Sequence, residues 1–123
     1  MWGITVIEYG VIVIRAGGDT YFQPTDEDIT LHELQDMVDG NIETVPVSLS
    51  GNWTTGRGQP IMIVNEEGKL LGFEKNERAT DMLRFDVYDY VSGTAIIAGA
   101  KGENIVPLKR SDCERIIEAF LDE

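Results

Sequence analysis

The residues best equipped to hold a ligand lie together in Ser50-Gly51-Asn52-Trp53-Thr54-Thr55-Gly56-Arg57-Gly58-Gln59-Pro60. Trp53 offers a stacking plane, Thr54 and Thr55 offer hydroxyls, Arg57 offers a planar cation matched to phosphate, and Gly56 and Gly58 let a backbone come close. Those are the parts a nucleotide-like small molecule requires. The same segment also reads as a plain hairpin loop with Trp53 folded onto a sheet. A second distinctive segment holds Asn76, Arg78 and Thr80. Arg78 could join Arg57 around an anion or pair with Glu74 or Glu77 on the surface, and Asn76 is equally a helix cap. The expected ligand-binding set is therefore Trp53, Thr54, Thr55, Arg57, Asn76 and Arg78.

Catalytic chemistry has less to work with. Nucleophilic catalysis needs a base beside the nucleophile. The only histidine, His32, falls in the first turn of an expected helix, and the only cysteine, Cys113, falls on the apolar face of another. There is no G-x-S-x-G, H-E-x-x-H, phosphate-loop or C-x-x-C motif. Asp26-Glu27-Asp28 lacks the alternating carboxylates and central glycine of a calcium loop. Twenty-two acids always supply carboxylate pairs, so their number alone marks no acid/base couple. The chain reads as a non-enzymatic protein without metal or cofactor.

These groups must be positioned by one domain, since 123 residues suffice for a single core without disulfides. One cysteine allows no internal bridge and suits a reducing cytoplasm. No apolar run approaches a bilayer span and no leader pattern opens the chain, so no membrane association is expected. Ten bases against 22 acids give a net charge of −12. That balance argues against direct nucleic-acid binding, which needs a basic stripe. It fits either a solubilising surface or one that imitates nucleic-acid charge.

The apolar patterning predicts an α+β fold: a mostly antiparallel sheet with two to three helices packed on it. Val11–Arg15 and Thr20–Gln23 should pair across Gly17-Gly18-Asp19, with Pro24 ending the second strand. Thr30 and Glu33 have capping-box spacing before a helix carrying Leu31, Leu34 and Val38 on one face, stopped at Gly40. Further strands are expected at Ile4–Ile7, Ile42–Ser48, Ile61–Val64, Lys69–Phe73, Tyr88–Val91, Thr94–Ala98 and Ile105–Leu108. Asn76 should cap a short helix from Glu77 to about Leu83. Ser111 and Glu114 form a second capping-box pattern, opening a helix with Cys113, Ile116, Ile117, Phe120 and Leu121 inward. That helix is expected to share one core with Leu31, Leu34 and Val38.

Leu34-Gln35-Asp36-Met37-Val38-Asp39-Gly40-Asn41-Ile42-Glu43-Thr44-Val45-Pro46, Asn65-Glu66-Glu67-Gly68-Lys69-Leu70, Asn76, Ala79-Thr80 and Val91-Ser92-Gly93-Thr94-Ala95-Ile96-Ile97-Ala98-Gly99 together resemble a family pattern. It is that of domain-of-unknown-function family 3846, small proteins common in phages, plasmids and other mobile elements. The likeness spans roughly residues 11–121. It implies a fold and a mobile-element setting, and it transfers no active site.

Two functions are compatible with these features. One is a cytoplasmic counter-defence protein that sequesters a nucleotide-type small molecule, with a cavity closed across a homodimer. The other is an acidic inhibitor of a host defence nuclease or DNA-binding protein, presenting Asp26-Glu27-Asp28, Glu33, Asp36 and Asp39 as mimics of phosphate charge.

Overall fold

The computed structural model describes residues 6–49, 57–84 and 89–121. They form an α+β domain on an antiparallel seven-stranded sheet. β1 (Tyr9–Ile14) and β2 (Thr20–Thr25) make the expected hairpin and lead to α1 (Leu31–Val38). β3 (Ile42–Val45) and β4 (Gln59–Asn65) pair next, followed by β5 (Lys75–Asn76), α2 (Glu77–Asp81) and β6 (Val91–Ser92). β7 (Ala95–Lys101), β8 (Asn104–Val106), β9 (Leu108–Lys109) and α3 (Arg110–Ile116) complete the chain, α3 continuing as a wider π-helical turn over Ile117–Leu121. The main path runs β2-β1-β7-β4-β3, and β5 with β6 forms a separate ribbon.

Strand side chains alternate across the sheet, and here both faces are apolar. Ile12, Ile14, Met62, Val64, Ala95 and Ile97 point to the side covered by α2 and α3. Val11, Val13, Ile63, Ile96 and Ala98 point to the other side, under Leu34 and Val38 of α1. The single shared core expected from the sequence is thus two cores, divided by the sheet. Leu31 is 57% exposed, because α1 rests on Leu34 and Val38 with Ile29 and Met37 at its margin.

Local chemistry explains most element ends. Thr30 Oγ1 accepts from the Glu33 amide at 3.1 Å and the Glu33 carboxylate accepts from the Thr30 amide at 3.2 Å, closing the predicted box. Asp39 takes a left-handed conformation at φ 62° and ends α1, with Gly40 just beyond. Pro24 lies inside β2 instead of ending it. Arg15 N–H donates to the Asp19 carbonyl, which sets the ladder phase so that the Pro24 nitrogen faces outward from the edge, where no donor is missed.

Two other expectations fail for physical reasons. Lys69–Phe73 is a helical turn, not a strand: Phe73 N–H donates to Gly68 O and Gly72 N–H to Lys69 O, a Schellman closure with Gly72 at φ 73°. Ser111 does not cap α3. The helix begins two residues earlier, with Lys109 at the cap position, because the Arg110 amide bonds the Glu8 carbonyl at 2.9 Å and its guanidinium bridges Glu8 and Glu114. Residues 6–8 lie outside any strand, and the remainder of the Ile4–Ile7 candidate falls outside the described residues, as does Tyr88 of the Tyr88–Val91 candidate.

One irregularity matters for the candidate site. β1 pairs β7 through Ile12–Ile14, but nearer its start Tyr9 and Gly10 pair β9, while the far end of β7 pairs β8. The two central strands therefore splay, and residues 104–109 fill the wedge, changing partner at Pro107.

Candidate functional site

Trp53, Thr54 and Thr55 lie outside the described residues, so the predicted set is represented by Arg57, Asn76 and Arg78. Arg57 sits at the wedge. Its Nε donates to the Pro107 carbonyl at 3.2 Å, its Nη2 donates to the Glu27 carbonyl at 2.8 Å, and its guanidinium lies 4.7 Å from the centre of the Tyr9 ring. Only 18% of the side chain is exposed. The planar cation expected to grip a phosphate instead binds the lead-in of β4 to three distant parts of the chain.

Asn76 is also internal. It is 1% exposed, its Nδ2 donates to the carbonyls of Ile14 (2.8 Å) and Gly93 (2.9 Å), and its Oδ1 accepts from the Ala79 amide. One amide thus caps α2 and stitches it to the sheet. Arg78 donates to Thr20 Oγ1 at 3.2 Å. Thr20 pairs Ile14, the last residue of β1, whereas Arg57 stacks on Tyr9, the first. At about 3.3 Å per residue the two anchor points are roughly 16 Å apart, so the structure does not gather Arg57 and Arg78 around one anion.

Two surface features stand out instead. Between Arg15 and Arg57 the chain contains eight acids and no lysine or arginine. The described part of this stretch is β2, α1, β3 and their connections; Asp26, Glu27, Asp28, Asp36, Asp39 and Glu43 are all exposed. Lys109, Arg110 and Arg115 lie on β9 and α3, and α3 covers the opposite face of the sheet. That segment also carries Asp112, Glu114 and Glu118, with Arg110 paired to Glu8 and Glu114 and Arg115 to Asp112, so bases and acids balance there, whereas the stretch between Arg15 and Arg57 carries acids with no lysine or arginine of its own.

The second feature is a cleft of about 290 Å³ beside β3, on the α2/α3 face. Val45, Val64, Leu83 and Val91 give it apolar walls, and Glu43, Glu66 and Glu67 stand at its margin. Lys69 also lines it, but is ion-paired to Asp89 and lies 4.5 Å over the Tyr90 ring. The Lys69 hydrogen bond is the main reason the Asp89 carboxyl sits below its ordinary range. The Asn65–Leu70 turn is held firmly from below. Asn65 Nδ2 donates to the Val38 and Asp39 carbonyls at the end of α1, and its Oδ1 accepts from the Glu67 amide at 2.7 Å. A side chain on Gly68 would meet the Ser92 carbonyl at 2.6 Å. The sequence marks this turn as part of the family pattern and not as a site; the signal that could have pointed to one is the strand alternation that puts Glu43 and Val45 on one face, together with the acidic Glu66-Glu67 turn.

Among the described residues no cluster of histidine, cysteine or acidic groups could hold a metal, and no helix is long and apolar enough to cross a membrane. The chain belongs to the family described as Domain of unknown function (DUF3846), which matches residues 7–121. No curated protein and no solved structure matches it.

Proposed function

We propose that this protein is a binding protein that presents carboxylates to the basic, nucleic-acid-contacting surface of another protein. The observation that carries this reading is a local excess of acid: eight acids and no lysine or arginine between Arg15 and Arg57, displayed chiefly by α1 and its approaches. Such a surface attracts a cationic groove over several ångströms and competes with phosphate for it. In a mobile element, acting in the host cytoplasm, the fitting target is a defence nuclease or DNA-binding protein. The nucleotide reading has less support, because Arg57 and Asn76 are engaged within the fold and Arg78 lies at the other end of β1.

The test is capture of a partner from host lysate, followed by affinity measurement against salt. Affinity should fall roughly tenfold or more as salt rises to the physiological range, and DNA should displace the protein. The triple change Glu33→Gln, Asp36→Asn, Asp39→Asn should weaken binding similarly. A partner indifferent to salt and to these changes overturns the reading. So does a cyclic or ADP-ribose-type nucleotide that binds tightly and is lost in Trp53→Ala.

A further inference from the structure

The two edges of the sheet are not equivalent. β2 has Pro24 with its nitrogen turned outward, which removes a donor from that edge. β3, at the other end, has no such guard within Ile42–Val45. The Glu66 amide donates to the Asn41 carbonyl, so Glu43 and Val45 exchange bonds with β4 and the N–H and C=O groups of Ile42 and Thr44 face away from the sheet. The open stretch is short. Pro46 follows it directly, and the Val47–Leu83 bridge ties down the chain beyond.

A strand added here places alternate side chains on the face of Glu43 and Val45, where the 290 Å³ cleft lies. That volume is at the lower end for a small-molecule pocket and suits one long side chain. Its apolar walls match a methylene stem. The carboxylates of Glu43, Glu66 and Glu67 at its margin make no ion pair among the described residues, and the one base lining it, Lys69, is occupied by Asp89. An apolar stem ending in a cation is the chemistry of lysine and arginine.

We propose that the β3 edge and its cleft dock a short, extended, basic segment of a partner protein. The segment pairs with Ile42 and Thr44 and sets one lysine or arginine side chain between the Val45/Leu83 walls and the Glu43, Glu66 and Glu67 carboxylates. Asn65 and Gly68 hold the Glu66-Glu67 turn in place before the segment arrives. This site lies on the opposite face of the sheet from α1, so it stands or falls separately from the acidic α1 surface.

The probe is a dye-labelled pentapeptide with Val-Arg-Val at its centre, titrated against the full chain by fluorescence anisotropy and by amide shifts in ¹⁵N spectra. Shifts should centre on Ile42, Thr44, Glu66 and Leu83. Replacing arginine by citrulline, or making Glu43→Gln with Glu67→Gln, should weaken binding about tenfold or more, while Glu33→Gln with Asp36→Asn leaves it unchanged. N-methylation of the peptide amides that would face β3 should abolish it. No binding at millimolar peptide, shifts centred on α1, indifference to citrulline, or indifference to N-methylation each overturns the proposal. Because the Glu43 and Glu67 changes are at exposed positions, an unchanged melting curve confirms that lost binding is not lost folding.

Discussion

Arg57 Nε donates to the Pro107 carbonyl at 3.2 Å, across 50 residues of sequence, at the point where the chain changes partner from β7 to β1. Neither strand neighbour can serve that carbonyl once β1 and β7 have splayed, so a side chain must. Gly99 belongs to the same arrangement: a Cβ there would come within 2.5 Å of the Arg57 carbonyl. A residue that sequence alone presents as a phosphate grip is, in three dimensions, the clasp of the splayed sheet.

Arg57→Ala should therefore destabilise the fold by about 2 kcal/mol, the scale of a hydrogen bond to a charged group plus a carbonyl left unserved. Arg57→Lys should recover less than half, since one ammonium cannot reach Pro107 and Glu27 while stacking on Tyr9. Urea melts check this. A variant as stable as the parent would mean that the guanidinium is dispensable to the fold and would restore an anion-binding role.

Asn76→Ala should cost roughly 2–4 kcal/mol, combining a lost helix cap with two buried carbonyls left without a donor. Asn76→Asp separates the two contributions. It keeps the cap to Ala79 but turns an acceptor toward the Ile14 and Gly93 carbonyls, so it should be at least as damaging as alanine. If Asn76→Asp melts like the parent, the cap alone matters and α2 is not stitched to the sheet as described.

Features governed by neighbours in sequence were legible before the fold was known. Thr30 with Glu33, Asn76 before Ala79, and the β1–β2 turn each depend on a few adjacent residues, and the structure forms each as the sequence predicts. Ser111 with Glu114 has the same local spacing but failed, because Glu8, over a hundred residues away, engages Arg110 and starts α3 early. Lys69-Leu70-Leu71 looks like a strand until Gly72 is seen closing a turn. The partners of Arg57 come from residues 27 and 107, and no spacing rule joins them. The division into two cores was implicit in strands apolar on both faces, such as Val11-Ile12-Val13-Ile14, yet invisible to a count that assigned both helices to one side.

On α3, Ile116 is fully buried while Phe120 is only partly so, at the margin of the same core. Ile116→Ala should cost about 2–5 kcal/mol, as for other fully enclosed aliphatic side chains. Phe120→Ala should cost less, about 1–2 kcal/mol, in keeping with partial removal from water. Paired denaturant melts check the order. The reverse order would place the π-helical turn, not the regular part of α3, at the centre of that core.

Cys113 provides the pH test. Its thiol is enclosed beneath α3, with Sγ 4.0 Å from the Gly10 carbonyl, and burial, aided by the charges of Asp112 and Glu114, pushes it up to about 12 from an ordinary 9.0. The folded value is the higher one, so the stabilisation is fully present below pH 9.0 and is lost as pH rises toward 12, where the unfolded chain gains by ionising and the folded one does not. Stability of the parent relative to Cys113→Ala should therefore be constant near neutrality and decline above pH 9.0. Lysines and tyrosines titrate in both proteins, and the difference between the two curves isolates the thiol. In native protein near pH 8, an aromatic disulfide reagent should label Cys113 no faster than the chain opens, so urea should accelerate the reaction in step with unfolding. Rapid labelling without denaturant, or a stability difference flat through pH 10, would remove Cys113 from the core and with it the packing assigned to α3.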